Sequence, residues 1–179
     1  GDLLTCSDWA HIWLNEGFAT YFETMYMEKS EGVERMMEGM ARMKRWYIGE
    51  TKTYKRAVVT YNFERPGSMF DGHTYSKGAW VLHMLRHKLG DTLFVKGIAN
   101  YVHRHAYQVV NTDDLVKAME DATGRSLHAF FDQWIYRPGH PLLEVHVSDD
   151  PKRNLSRVLV KQKTDEPYKF DAVIRLTYK

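Results

Sequence analysis

The chain has 179 residues, 44% of them hydrophobic, enough to bury a core for one ordinary domain and a further segment. Its 25 Lys and Arg stand against 23 Asp and Glu, a formal net charge of +2, so no strong field favours nucleic acid, a membrane surface or a polyanion. Cys6 is the only cysteine, which excludes an internal disulfide and a cysteine zinc cluster, and no run approaches the roughly 20 apolar residues of a membrane span.

Asp8 is placed to cap a first helix that runs from Trp9 to about Lys29 and stops near Glu31-Gly32. Trp9, Trp13, Phe18, Phe22 and Tyr26 spread around almost the whole of this helix, which predicts burial on every side. Glu16 lies among them. A buried carboxylate without a basic neighbour on its face must neutralise, find a cation or bind a metal. A second helix follows from Val33 to about Tyr47, where Met36, Met40, Met43 and Tyr47 recur at helical spacing as a one-sided core stripe. Residues 49–73 carry Gly49, Pro66, Gly67 and Gly72 without a helical period and read as a long loop, a place where function often resides.

A third helix is expected from about Thr74 to Leu89, stopped by Gly90, with Asp91-Thr92 capping a fourth through about His105. Asn111-Thr112-Asp113-Asp114 begins a fifth that ends at Gly124, and Ser126 begins a sixth that closes at Arg137-Pro138-Gly139. The period then changes. Leu143, Val145 and Val147, and later Phe170, Ala172, Ile174, Leu176 and Tyr178, alternate as strands do, with a weaker strand at 156–163. The pattern predicts an α+β chain divided at Pro138-Gly139-His140-Pro141, helical before and stranded after. Three strands in ~40 residues leave edges unpaired, so the second part reads as the start of a larger sheet domain.

The run Trp13-Leu14-Asn15-Glu16-Gly17-Phe18-Ala19, with Trp9 and Tyr21 around it, resembles the segment that follows the zinc motif in the gluzincin zinc aminopeptidases, the alanyl and puromycin-sensitive aminopeptidase family. Thr74-Tyr75-Ser76-Lys77-Gly78-Ala79 is similar to that family's Tyr-x-Lys-Gly-Ala segment. The resemblance implies that residues 1–140 are the C-terminal helical part of a thermolysin-like catalytic domain and 141–179 the N-terminal strands of a β-sandwich domain. It implies one zinc ion, with Glu16 as its third protein ligand, and Tyr75 as hydrogen-bond donor to the developing oxyanion. The two His ligands and the general-base Glu belong to a His-Glu-x-x-His motif that the family's spacing puts upstream of Gly1. The chain is therefore expected to be a fragment that starts just after that motif. The implied reaction is removal of N-terminal residues from peptides with a free amino terminus by attack of zinc-activated water. With one ligand and no base, the piece alone is expected to be inactive and to hold zinc weakly or not at all. The missing upstream part of the same polypeptide is its implied partner.

The alternative is a catalytically inactive aminopeptidase-fold scaffold or protein-interaction module, because a fold by itself carries no chemistry. Within the chain, His83 and His87 stand at the i and i+4 spacing of a metal site, but Met84 is where a general-base Glu would be, and they read as a solvent-side or partly satisfied pair. Thr20, one turn after Glu16, is a candidate to support the ligand, and Glu64 reads as a surface loop acid.

Overall fold

A computed structural model describes residues 3–150, 152–153 and 155–173. The elements in chain order are β1 Thr5–Cys6, α1 Trp13–Glu31, α2 Val33–Glu50, α3 Gly78–Leu89, α4 Asp91–His105, β2 Val109–Val110, α5 Thr112–Thr123, α6 His128–Phe131, β3 Leu143–Asp150 and β4 Leu155–Gln162. The chain divides into two compact units, Gly1–Gly139 and His140–Lys179. It is α+β and mainly helical.

The helix boundaries follow local chemistry. Asp8 accepts from the Ala10 amide at 2.8 Å and starts a 3-10 turn, Trp9–His11, that leads into α1. Gly32 (φ 99°) ends α1 and Gly90 (φ 79°) ends α3, conformations that a side chain would strain. Asn111 and Asp114 exchange side-chain to backbone bonds in a capping box at the start of α5, which Gly124 closes in the left-handed region. Two expected caps fail. Asp91 lies inside α4, where its carboxylate pairs with Arg86 instead. The Ser126 hydroxyl does not start the sixth helix: the Leu127 and His128 amides donate to Glu120 near the end of α5, so a carboxylate of the preceding helix does the capping. That helix is also shorter, four residues followed by a π-helical turn, Asp132–Tyr136.

In the first unit α1 packs between α2 and α3, burying Trp13, Leu14, Phe18 and Tyr21. Each such side chain contributes roughly 1.5–3 kcal/mol by leaving water. The methionine stripe Met36, Met40 and Met43 is buried as expected, and the Trp80 indole of α3 donates to the Met40 carbonyl at 3.1 Å. Phe22 and Tyr26 are exposed, however, so α1 is not buried on every side. The α4–α5 pair is drawn close by Gly97 against Met119 and by Asn100 donating to the Ala118 carbonyl. β1 and β2 form a two-residue parallel bridge beside the start of α1 that the sequence pattern did not announce.

In the second unit β3 and β4 make an antiparallel hairpin that sets Val145 opposite Val160 and Val147 opposite Val158. Gln162 brackets Tyr168, donating to its carbonyl and accepting from its amide at 2.7 Å each. Residues 170–173 are not a strand, and Ile174, Leu176 and Tyr178 lie outside the described residues.

α1 and α3 cross at two glycines. A Cβ on Gly17 would stand 3.2 Å from the Gly78 backbone, and a Cβ on Gly78 would stand 3.2 Å from the Gly17 Cα. The neighbour is main chain in both cases, so relief requires the helices to separate. Gly17→Ala is therefore expected to lower stability by about 1–3 kcal/mol, read as a lower denaturation midpoint with unchanged helix content.

Candidate active site

The glycine crossing has a geometric consequence. Glu16 precedes Gly17 on α1, and Tyr75 lies three residues before Gly78, in a π-helical turn, His73–Lys77, that runs directly into α3. Two side chains far apart in sequence thus stand together: burial, then the negative charge of Glu16 and a hydrogen bond to it, raise the pKa of the Tyr75 hydroxyl above that of a free tyrosine. Glu16 is half-exposed, not enclosed as the apolar pattern suggested. The buried stripe of α1 runs through Trp13, Gly17 and Tyr21, and Glu16 stands beside it. Among the described residues no Lys or Arg forms an ion pair with Glu16. Thr20 does not reach the carboxylate; its hydroxyl donates to the Glu16 carbonyl at 2.6 Å, the bond a threonine makes one turn back along its own helix.

Aromatic side chains frame Tyr75. Trp46 stacks on it at 6.0 Å between centroids, Phe70 leans against it at 6.4 Å, and Trp9 meets Phe70 at 5.9 Å. Trp9, Trp46 and Phe70 are exposed.

Behind this surface the turn is held by a buried polar cluster. Asp71 accepts from the His73 and Thr74 amides at 3.0 Å each, from the Tyr54 hydroxyl at 2.7 Å and from the Arg56 guanidinium. Burial alone would raise the Asp71 pKa, but the bonds from His73, Arg56 and Tyr54 outweigh it and hold the carboxyl far below the ordinary range. His73 lies between Glu50, 3.0 Å from its Nδ1, and the Arg56 amide, 3.4 Å from its Nε2. Lys77 is buried and donates to the Arg137 carbonyl at 3.1 Å; burial, then the nearby Arg56 and Arg137, lower its pKa to about 7.

The chemistry of these donors decides where a metal fits. Glu50, Asp71 and His73 come within ligand distance of one another. The Asp71 oxygens are occupied by Arg56, Tyr54 and backbone amides, and both His73 nitrogens are hydrogen-bonded. A cation already fills that cluster. His83 turns Nδ1 to the Tyr21 hydroxyl at 3.2 Å and packs against Trp80, while His87 is exposed, so the i, i+4 pair does not converge. Glu64 is exposed. Glu16 has the chemistry of an oxygen ligand: a carboxylate with no Lys or Arg partner among the described residues, beside the Tyr75 hydroxyl. A single carboxylate can offer one ligand of the four that zinc takes.

A model of the peptidase family M1 domain matches residues 1–134. The chain belongs to the M1 peptidase family. It is 31% identical over 169 residues to a glutamyl aminopeptidase of Bitis rhinoceros, covering 92% of this chain and 18% of that protein. It is 31% identical over 160 residues to an aminopeptidase N of Lactococcus lactis, covering 84% and 18%. Among solved structures it superposes on an M1 zinc metallopeptidase variant from Deinococcus radiodurans bound to a Tyr-Ser-Ala substrate, with a TM-score of 0.65, 30% identity, and 79% and 31% of the two chains covered. It also matches the fold of the Legionella pneumophila aminopeptidase A, with a TM-score of 0.72 at 21% identity, covering 90% and 18%. The chain thus spans about a fifth of the length of its M1 relatives.

The two motif segments are what the M1 fold brings together here, through the Gly17–Gly78 contact. Sequence reading missed Arg56 and Asp71. Asp71 carried a signal, an acid just before a helix start; Arg56 carried none. For Lys77 the pKa near 7 gives a pH test on this chain. An unfolded lysine titrates near 10.4. Between about 7 and 10 the unfolded chain holds a proton the folded chain lacks, so stability rises with pH through that window. Denaturant midpoints at pH 7 and 9 are expected to differ in that direction, and Lys77→Met to flatten the difference.

Proposed function

We propose that this chain supplies the third zinc ligand, Glu16, and the oxyanion donor, Tyr75, of a zinc aminopeptidase. The observation that carries the reading is the approach of Tyr75 to a Glu16 carboxylate that pairs with no Lys or Arg among the described residues. The substrate class is a peptide with a free amino terminus, in line with the names of the M1 relatives. Residues 1–140 are then the C-terminal helical part of the catalytic domain, and 141–179 the first strands of a β-sandwich. Two His ligands and the general-base Glu come from upstream polypeptide.

When bound, zinc supplies Lewis acidity to water and to the scissile carbonyl. Glu16 offers it a carboxylate oxygen, fixed by the helix that holds Gly17 against Gly78. Tyr75 donates its hydroxyl hydrogen to the carbonyl oxygen as negative charge grows there. The neighbouring Glu16 charge and burial keep that hydrogen in place across the neutral range. The aromatic frame of Trp46 and Phe70 limits the directions the ring can take and excludes water from one side of it.

In the full-length protein, Tyr75→Phe is expected to lower kcat by about 10²–10³ with zinc retained, the cost of removing one oxyanion donor. Turnover at the wild-type rate would refute the role. Glu16→Ala is expected to lose zinc on dialysis, and full occupancy by elemental analysis would refute the ligand. The 179-residue chain alone, with one ligand, is expected to hold substoichiometric zinc and to leave aminoacyl-anilides intact.

A further inference from the structure

We propose that Asp71, locked by Arg56, is the positioning residue for the Tyr75 hydroxyl, an inference that rests on the donor role assigned to Tyr75. The amides of three consecutive residues converge on it: His73 and Thr74 donate to its carboxylate, and Tyr75 donates to its carbonyl, all at 3.0 Å. Tyr75 therefore takes its direction from a turn whose entire entry is tied to one side chain and one peptide group. That turn is π-helical, closing wider loops than an α-helix: Gly72 accepts from both the Ser76 and Lys77 amides. Bulges of this kind are rare and need outside support.

Asp71 is itself immobilised. Arg56 Nε reaches Oδ2 at 2.8 Å and Nη2 reaches Oδ1, the bidentate fork that a guanidinium makes with a carboxylate. The three remaining Arg56 hydrogens go to the Ala57 carbonyl at 2.7 Å, to the Val58 carbonyl at 2.8 Å and, shared from Nη2, to the Met69 carbonyl at 3.2 Å and the Thr74 hydroxyl at 2.9 Å. One guanidinium thus clamps the loop before the turn, the acid that starts it and the residue next to Tyr75. Both side chains are nearly enclosed, 14% and 7% exposed, so water does not substitute for a lost bond. An amide at position 71 keeps the shape but has one acceptor oxygen where the carboxylate uses two, and its NH2 would face a donor.

Misplacement of a reacting group by about 1 Å costs on the order of 10²-fold in rate. In the full-length protein Asp71→Asn is expected to lower kcat about 10- to 100-fold, with KM within about threefold and zinc retained. The decisive measurement places the same change in the Tyr75→Phe protein. If Asp71 acts through the hydroxyl, the second loss falls below about threefold there, because no donor is left to misplace. An equal loss in both backgrounds, or wild-type turnover of Asp71→Asn, would overturn the proposal. Thr74→Val removes only the Arg56–Thr74 bond and carries the same pair of comparisons if Asp71→Asn does not fold, with a smaller loss that again disappears beside Tyr75→Phe. Wild-type turnover of Tyr75→Phe by itself would remove the donor role and this inference together, an outcome separable from failure of the positioning step alone.

Discussion

The structure turns on the backbone contact between Gly17 and Gly78. Everything that makes the site is measured from it: Glu16 one residue before the first glycine, Tyr75 three before the second. A helix pair crossing through side chains sits ~8–10 Å apart between axes. A crossing through two glycines comes closer, and the groups beside it are held in register by main chain on both sides. Glycine in a helix costs about 1 kcal/mol relative to alanine, so its use here is a sacrifice of local stability for approach. The two segments that carry the family resemblance are thus the two halves of one contact, and their glycines are as much part of the site as their polar residues.

The second constraint is charge. Burying the Arg56–Asp71 pair costs desolvation that a bidentate geometry and further hydrogen bonds must offset, and such pairs often add little net stability. Their use here lies in direction: a saturated guanidinium and a carboxylate with both oxygens filled admit one arrangement of the chain from Met69 to Thr74. The same saturation argues against reading Glu50, Asp71 and His73 as a metal centre, since a metal would have to displace Arg56 first. A geometric cluster of ligand-type residues is weaker evidence than the list of what each lone pair already does.

Local signals in the sequence were dependable where they were local. Asp8, Asn111, Gly32, Gly90 and Gly124 mark helix ends for steric and hydrogen-bonding reasons that need no tertiary partner. Signals failed where a residue of a neighbouring segment took over. Glu120 caps the sixth helix in place of Ser126, Arg86 claims Asp91, and Arg56 organises a turn that composition alone read as loop and helix start. The enclosure of Glu16 was misread because aromatic residues on every side of α1 were counted as buried, while Phe22 and Tyr26 are exposed. An apolar residue is not thereby an interior one, since much of a folded protein's surface is apolar. The juxtaposition of Glu16 and Tyr75 was legible only through family resemblance; nothing in the spacing of the two motifs says that their glycines touch.

The charges around Tyr75 follow from those commitments. With Asp71 taken by Arg56, Lys77 turns to the Arg137 carbonyl, and burial beside two arginines lowers its pKa to about 7, so much of its positive charge is lost near neutrality. On the other side, the Glu16 charge disfavours ionisation of the hydroxyl. Burial, then the Glu16 charge, therefore preserve the hydrogen of Tyr75, since a neutral hydroxyl can donate and a phenolate cannot. On the proposed reading one hydroxyl thus has two properties set by its surroundings, its direction through Asp71 and its protonation through burial and the Glu16 charge.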